Sequence, residues 1–249
     1  MINKAEDFLK ENERLDDLQL SGLYIIQNPE KFMFGMDAVL LSGFAHIKRG
    51  ENVADFCTGT GILPLLLSAK TEARHFTGLE IQEESADMAG RSVTINDLSG
   101  KIDIVTGDIK EASKIFGRGV FDVITCNPPY DADKAAIKNP SLPKAIARHE
   151  ILCSFDDVAR ESAACLVPNG RLYLVHRPTR LPELFDTLKK YKLEPKRLRV
   201  VYPDINKKPN MVLIEAIKGA RPMLSIEKPL IICDTDGKYS EEMREDYKF

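Results

Sequence analysis

Four short stretches of this chain carry residues that could do chemistry. The first is V-A-D-F-C-T-G-T-G-I, residues 53–62, where Asp55 precedes Gly59 and Gly61. Glycine lets a backbone approach a ligand where a Cβ would intrude. Pro64 stands where a full G-x-G-x-x-G would place its third glycine, which weakens a dinucleotide reading. Asp55 would sit badly beside a pyrophosphate but well beside an ammonium group. The second stretch ends at Glu80, in H-F-T-G-L-E. An acid about 20 residues beyond such glycines can accept from both ribose hydroxyls. The third is T-G-D-I, where Asp108 could accept from an adenine amino group with Ile109 against the ring. The fourth is C-N-P-P-Y-D, residues 126–131. Neither proline can donate a ladder hydrogen bond, so a strand must stop there and its exit is stiff. Asn127 and Tyr130 then offer an amide and an aromatic ring to a flat, polar guest. Each feature also has an ordinary reading. Asp55 can belong to a tight turn, Glu80 can be a surface carboxylate, and Asp108 can cap a helix over 109–116. Tyr130 can pack on its neighbours at a rigid strand exit.

These stretches need elements to hold them. After Gly50 short apolar strands alternate with helices. Strands are predicted over 52–57, 75–80, 101–106, 121–126 and 170–176, and helices over 61–70, 82–97, 155–166 and 180–191. Residues 197–202 and 211–218 read as an antiparallel pair at a sheet edge. Upstream, S-G-L-Y-I-I-Q-N-P suggests a strand or hairpin, and 36–45 has helical spacing. The alternation predicts an α/β, doubly wound, Rossmann-like fold: a seven-stranded, mostly parallel sheet with one antiparallel edge strand. Such sheets bind ligands at the carboxyl ends of their strands. The turns after Cys57, Glu80, Thr106 and Cys126 should therefore share one crevice. Residues 127–150 are long for a plain connection, which points to function or a short helix of their own. The ligand implied has a cation, a ribose and an adenine, and no phosphate. S-adenosyl-L-methionine matches each item.

Composition narrows the setting. The 249 residues are 43% apolar and 29% charged, enough to bury a core and keep a polar surface. A formal net charge of −3 argues against a strongly basic coat for nucleic acid, though not against one basic face. The five cysteines are scattered, with no C-x-x-C pair. That fits reduced thiols in a cytoplasmic protein, with neither a disulfide frame nor a metal site. The polar N-terminus does not read as a signal peptide, and no apolar run would span a membrane.

D-F-C-T-G-T-G, Glu80, the G-D after the third strand and N-P-P-Y after the fourth together resemble class I S-adenosylmethionine-dependent methyltransferases of the amino-group type. The resemblance covers roughly residues 50–218. It implies that Asp55, Cys57, Thr58, Gly59, Gly61, Glu80, Ile81, Asp108, Ile109 and Asn127 bind the cofactor. It makes Asn127, Pro128, Pro129 and Tyr130 the catalytic motif. An exocyclic amine is a poor nucleophile because its lone pair is conjugated. The Asn127 amide oxygen and the Pro128 carbonyl can each accept one N–H and favour a pyramidal nitrogen. Tyr130 can stack on the ring and keep that nitrogen in line.

Three further stretches narrow the family: K-F-M-F-G-M-D-A-V-L-L (31–41), A-I-A-R-H-E (145–150) and K-P-N-M-V-L-I-E-A-I-K-G (208–219). They are similar to the bacterial family that methylates N6 of adenine 37 in the anticodon loop of a valine tRNA. The likeness implies a tRNA substrate, with Phe32, Gly35 and Asp37 closing over the cofactor. It divides the chain into a capping extension (1–45), a methyltransferase domain (46–220) and a tail (221–249). Ribosomal RNA and release-factor glutamine remain alternative acceptors, and a non-catalytic RNA-binding module is an alternative of another kind. The short segment before the glycine turn disfavours the glutamine substrate. RNA phosphates call for cations, and Lys134, Lys138, Lys144, Arg148 and His149 follow the motif, with Lys207 and Lys208 in the edge loop. Lys189, Lys190, Lys192, Lys196, Arg197 and Arg199 form a second cluster. Such runs are usually solvated faces; close to one crevice they would form a track for phosphates.

Overall fold

A computed structural model describes residues 6–31, 33–129 and 153–246. β1 (Arg14–Asp17) and β2 (Tyr24–Gln27) form an antiparallel hairpin, and α1 (Met36–Phe44) follows. The alternation then runs β3 (Asn52–Phe56), α2 (Ile62–Lys70), β4 (His75–Glu80), α3 (Glu83–Ile95), β5 (Ile102–Thr106), α4 (Ala112–Phe116) and β6 (Phe121–Cys126). Beyond it come α5 (Phe155–Cys165), β7 (Leu166–His176), α6 (Leu181–Lys190), β8 (Leu193–Asp204) and β9 (Met211–Lys218). β10 (Ser225–Ile226), β11 (Leu230–Cys233) and α7 (Glu241–Asp246) complete the order.

Successive strand residues face opposite ways, so adjacent residues enter separate cores. Val53 belongs to the core under α1 and α2, and Ala54 to the core under α5 and α6. Both faces of the sheet are therefore apolar, as a doubly wound fold requires. The spatial order is β10-β8-β9-β7-β6-β3-β4-β5, with β11 also on β8. β3 pairs in parallel with β4 on one side and β6 on the other. The chain runs outward from β3 to β5 and then returns to β6. That reversal opens a crevice at the carboxyl ends of β3 and β6.

The α/β class expected from the sequence holds, but the sheet has nine strands where seven were expected. Nor is the antiparallel strand at the edge: β9 lies between β7 and β8 and runs against both. The outer edge of β8 is instead covered by β10 and β11, both parallel to it. These strands have two and four residues, too few to display a period of two in the sequence. Their pairing covers backbone donors and acceptors that would otherwise invite a foreign strand. α7 closes over this side through Met243, fully buried, and an ion pair from Arg199 to Glu242.

The hairpin is fixed to α3. The Ser92 hydroxyl oxygen accepts from the Ile26 N–H at 2.9 Å, and Asn96 both accepts from and donates to the Tyr24 backbone. Arg91 forms a fork on Glu13, with both bonds at 2.7 Å, and also binds Asp87. Gln27 donates to Asp16 and accepts from the Phe34 N–H at 3.0 Å. The chain thus leaves the hairpin toward α1 on a fixed path. Among the described residues no helix is long and apolar enough to cross a membrane.

The last strand is part of the main core, since Leu230 is fully buried within it. Leu230→Ala should therefore lower the stability of the whole domain by about 2–5 kcal/mol. Thermal unfolding should remain one transition, shifted down; an unshifted midpoint would mean that the tail is not integrated.

Candidate active site

The parallel register brings the four stretches to one level. Phe56 pairs with Leu79 and with Cys126, and Glu80 pairs with Thr106. The next residues, the 57–61 turn, Ile81, Gly107–Asp108 and Asn127, therefore leave the sheet side by side. Adjacent strands lie about 4.8 Å apart. The line from Asn127 past the glycine turn and Glu80 to Asp108 thus spans three strand spacings, about 14 Å.

Each part of the turn has a physical cause. Gly59 and Gly61 have φ of 57° and 83°, a region that favours glycine. A Cβ on Gly61 would stand 3.0 Å from the Ala89 Cβ, so this glycine lets α2 start close against α3. A Cβ on Gly59 would meet nothing within 4 Å, so it would project into open space at the crevice. Glu80, 5% exposed, accepts from the Gly59 N–H at 2.9 Å and the Gln82 N–H at 3.0 Å. It fastens the glycine turn to β4, and each oxygen keeps a lone pair for a further donor. Asp108 Oδ1 accepts from the Lys110 N–H at 2.9 Å. It caps a short 3-10 turn, Ile109–Glu111, that leads into α4, so its ordinary role is real. Ile109 is buried beside it; Ile81 is half-buried at the exit of β4.

Asp55 is 2% exposed, at the reversal of strand order. Its Oδ1 accepts from the Thr125 hydroxyl at 2.7 Å across the β3–β6 pair. Burial pushes its pKa up to about 7; the Thr58 and Thr125 hydroxyls oppose the shift and the charge of Glu80 adds to it. Asp55 Oδ2 and Thr58 Oγ1 are both buried without a hydrogen bond of good geometry among the described residues, although the Thr58 hydroxyl lies near enough to the Asp55 carboxyl to favour its charged form. Orphaned acceptors of this kind are uncommon in folded proteins, and an ammonium is a suitable donor. Gly78 makes room for Thr58, whose side chain would stand 2.9 Å from a Cβ there.

Cys57 holds φ of 61°, which costs a residue with a Cβ about 1 kcal/mol. Its thiol interacts with those of Cys126 and Cys153. The hydrogen bond to Cys126 raises the Cys57 pKa, burial raises that of Cys126, and the contact with Cys57 raises that of Cys153. All three therefore stay neutral, unlike nucleophilic cysteines. Among the described residues no group of three or more His, Cys, Asp or Glu could hold a metal ion.

Asn127, Pro128 and Pro129 follow β6 directly, with Pro128 buried and its neighbours half-buried. Gly35 precedes α1, and Asp37 lies in its first turn, accepting from the Ala38 N–H. Phe32, Tyr130, Lys134, Lys138, Lys144, Arg148 and His149 lie outside the described residues. Lys207 and Lys208 are exposed in the β8–β9 loop at the carboxyl end of the sheet, and Lys207 pairs with Asp204.

The second cation cluster does not join them. Lys189, Lys190 and Lys192 lie at the end of α6 and the start of β8, at the opposite end of the sheet. Lys196 Nζ donates to the Arg221 carbonyl. Arg197 pairs with Glu215 and Glu227 and stacks on Phe44, and Arg199 pairs with Glu242. Helix and strand direction place these charges, which a linear run of cations does not reveal. Thr125 and Gly78 were missed for a related reason: their roles depend on strand pairing.

The arrangement fits S-adenosylmethionine at the Gly59 opening, beside the orphaned Asp55 oxygen and Glu80. A family model described as methyltransferase small domain matches residues 35–191, which sets the class of the fold and site. Curated relatives sharpen it. One from Porphyromonas gingivalis, named tRNA1(Val) (adenine(37)-N6)-methyltransferase, is 30% identical over 216 residues, 84% of each chain. A protein of the same name from Parabacteroides distasonis is 27% identical over 209 residues, 84% of this chain and 86% of that one. The chain belongs to the methyltransferase small domain family, with these tRNA methyltransferases among its relatives. Solved structures share the fold. A predicted O-methyltransferase from Agrobacterium tumefaciens has a TM-score of 0.69 at 22% identity, covering 86% of this chain and 96% of that one. TYW2 from P. horikoshii, in complex with MeSAdo, has a TM-score of 0.60 at 13% identity, covering 85% and 73%.

The raised Asp55 pKa has two consequences with defined signs. The folded protein holds this proton more tightly than the unfolded chain, so ligand-free stability should fall as pH rises from the ordinary carboxylate range through about 7. An ammonium ligand needs the ionised form, so its affinity should rise over the upper part of that window. Thermal melts and titration calorimetry with S-adenosylmethionine check both. Asp55→Asn should flatten both profiles, and a pH-independent wild type would refute the assignment.

Proposed function

We propose that this chain transfers a methyl group from S-adenosylmethionine to N6 of an adenine in tRNA, adenine 37 of a valine tRNA. The observation that carries this reading is the position of Asn127–Pro129 directly after β6, the strand beside the glycine turn. The names of the relatives support the nucleobase and the tRNA. A tRNA substrate also implies work in the cytoplasm.

The cofactor supplies a methyl carbon made electrophilic by its sulfonium. The residues of this chain bind and orient. Ionised Asp55 takes the ammonium, Glu80 takes ribose hydroxyls with its remaining lone pairs, and Asp108 and Ile109 take the adenine edge and face. Cys57, Thr58 and Ile81, at the same strand ends, would complete the cofactor's binding wall. The 33–37 segment, held by the bond from the Phe34 N–H to Gln27 Oε1, would close the site, with Phe32 in the same run. Asn127 Oδ1 and the Pro128 carbonyl would accept hydrogen bonds from the two amine N–H groups, so the nitrogen lone pair turns out of conjugation; as the N6–methyl bond forms the methyl–sulfur bond breaks, and the surplus amine proton passes to solvent. Tyr130 is assigned to stacking on the base. An anticodon-loop base can be splayed out for such a pocket. Lys207 and Lys208 lie two strand positions beyond β7, about 14 Å from β6 in the sheet, within reach of loop phosphates.

Asn127→Ala should lower kcat by about 10²- to 10³-fold and leave affinity for S-adenosylmethionine nearly unchanged. Nucleoside mass spectrometry of tRNA, with and without the protein, identifies the product. Labelled methyl in ribosomal RNA or release factor, with none in tRNA, would overturn the substrate.

A further inference from the structure

Two of the cations that do not reach the catalytic end, Lys190 and Lys192, line a cavity of about 620 Å³ at the amino end of the sheet. Its lining includes Arg118, Arg160, Glu161, Lys190, Lys192 and Lys218. Two of these five cations are balanced internally. Arg160 binds Glu161 at 3.1 Å and Asp157 at 2.8 Å, and Lys190 binds Asp156 at 2.6 Å. Arg118, Lys192 and Lys218 have no carboxylate within ion-pair distance among the described residues. Lys218 donates to the Leu166 carbonyl at 2.6 Å and keeps two further donors. Burial lowers its pKa, and the nearby Arg118 guanidinium lowers it further.

Lys192 is next to Lys218 in space, because Leu193 pairs with Lys218 and the Gly219 N–H donates to the Lys192 carbonyl. Lys192 also holds φ of 59°, where glycine or asparagine usually follows a helix. The carboxyl ends of α5 and α6 open here, each equivalent to about half a negative charge. Arg160 and Lys190 face three carboxylates, Asp156, Asp157 and Glu161, so with the helix ends counted the three remaining cations keep an excess of about one positive charge. The volume lies in the usual range for small-ligand sites and admits a sugar–phosphate unit.

β6 has six residues, so the cavity lies about 17 Å along the sheet from Asn127. We propose that it binds a backbone phosphate of the tRNA substrate outside the anticodon loop, as a second anchor remote from methyl transfer. This rests on the tRNA reading above. A free phosphate offers the same oxygens, and the test separates the two sources.

Arg118→Gln combined with Lys192→Asn removes two exposed charges and places at 192 a residue suited to its backbone. Melting temperature and S-adenosylmethionine affinity should not change. For full-length tRNA, KM should rise several-fold at constant kcat. The salt slope of binding to fluorescent tRNA should fall by about 2. KM for an isolated anticodon stem-loop should stay as in the wild type. Unchanged tRNA affinity and salt slope would overturn the proposal, as would equal losses on both RNAs. If inorganic phosphate stabilises only the wild type while tRNA binding is equal in both proteins, the site serves a small anion and the proposal is again overturned. If the wild type methylates no tRNA yet loses affinity and slope in the variant, the proposed activity fails and the anchor stands.

Discussion

The site depends on a buried carboxylate that binds backbone. Glu80 accepts one N–H from the glycine turn and one from the residue two positions after itself. This ties the loop after β3 to the loop after β4, so the two walls of the crevice cannot drift apart. A glycine-rich turn gains freedom from its glycines and would be entropically expensive to order on its own. The carboxylate supplies that order before any ligand arrives. The oxygens assigned to the ribose are then the same ones that shape the loop beside it.

A second constraint acts across the reversal of strand order. Parallel pairing of β3 with β6 sets Asp55 against Thr125 and places Asn127 at the edge of the same opening. One strand pair thus joins the group assigned to the cofactor to the group assigned to the acceptor nitrogen. In-line transfer requires those two to be held to fractions of an ångström. A buried two-strand ladder provides that, where a flexible loop would not. The three neutral thiols nearby fill space without offering a competing nucleophile.

Much of this was legible in the chain. The strands 75–80, 121–126 and 211–218 have the same bounds in sequence and structure, because glycine, proline and polar residues punctuate them sharply. The turns after β3, β4, β5 and β6 were expected to share a crevice, and the register brings them level. What stayed hidden depends on long-range geometry. Thr125 reads as an ordinary strand threonine until its neighbour across the ladder is known. β10 and β11 are too short for their pattern to stand out. The lysines around 189–196 look like a continuation of the basic stretch after the motif. The direction of α6 carries them to the far end of the sheet.

The order of β10 and β11 in the chain bears on how this domain is made. Both pair with the outer edge of β8, and both follow β9, which covers its inner edge. A folding chain in which β9 docks first would leave that outer ladder bare, and β8 would then be a sticky border. The charged side chains along it, Arg197 and Arg199, act as temporary guards until Glu227 and Glu242 arrive to pair with them.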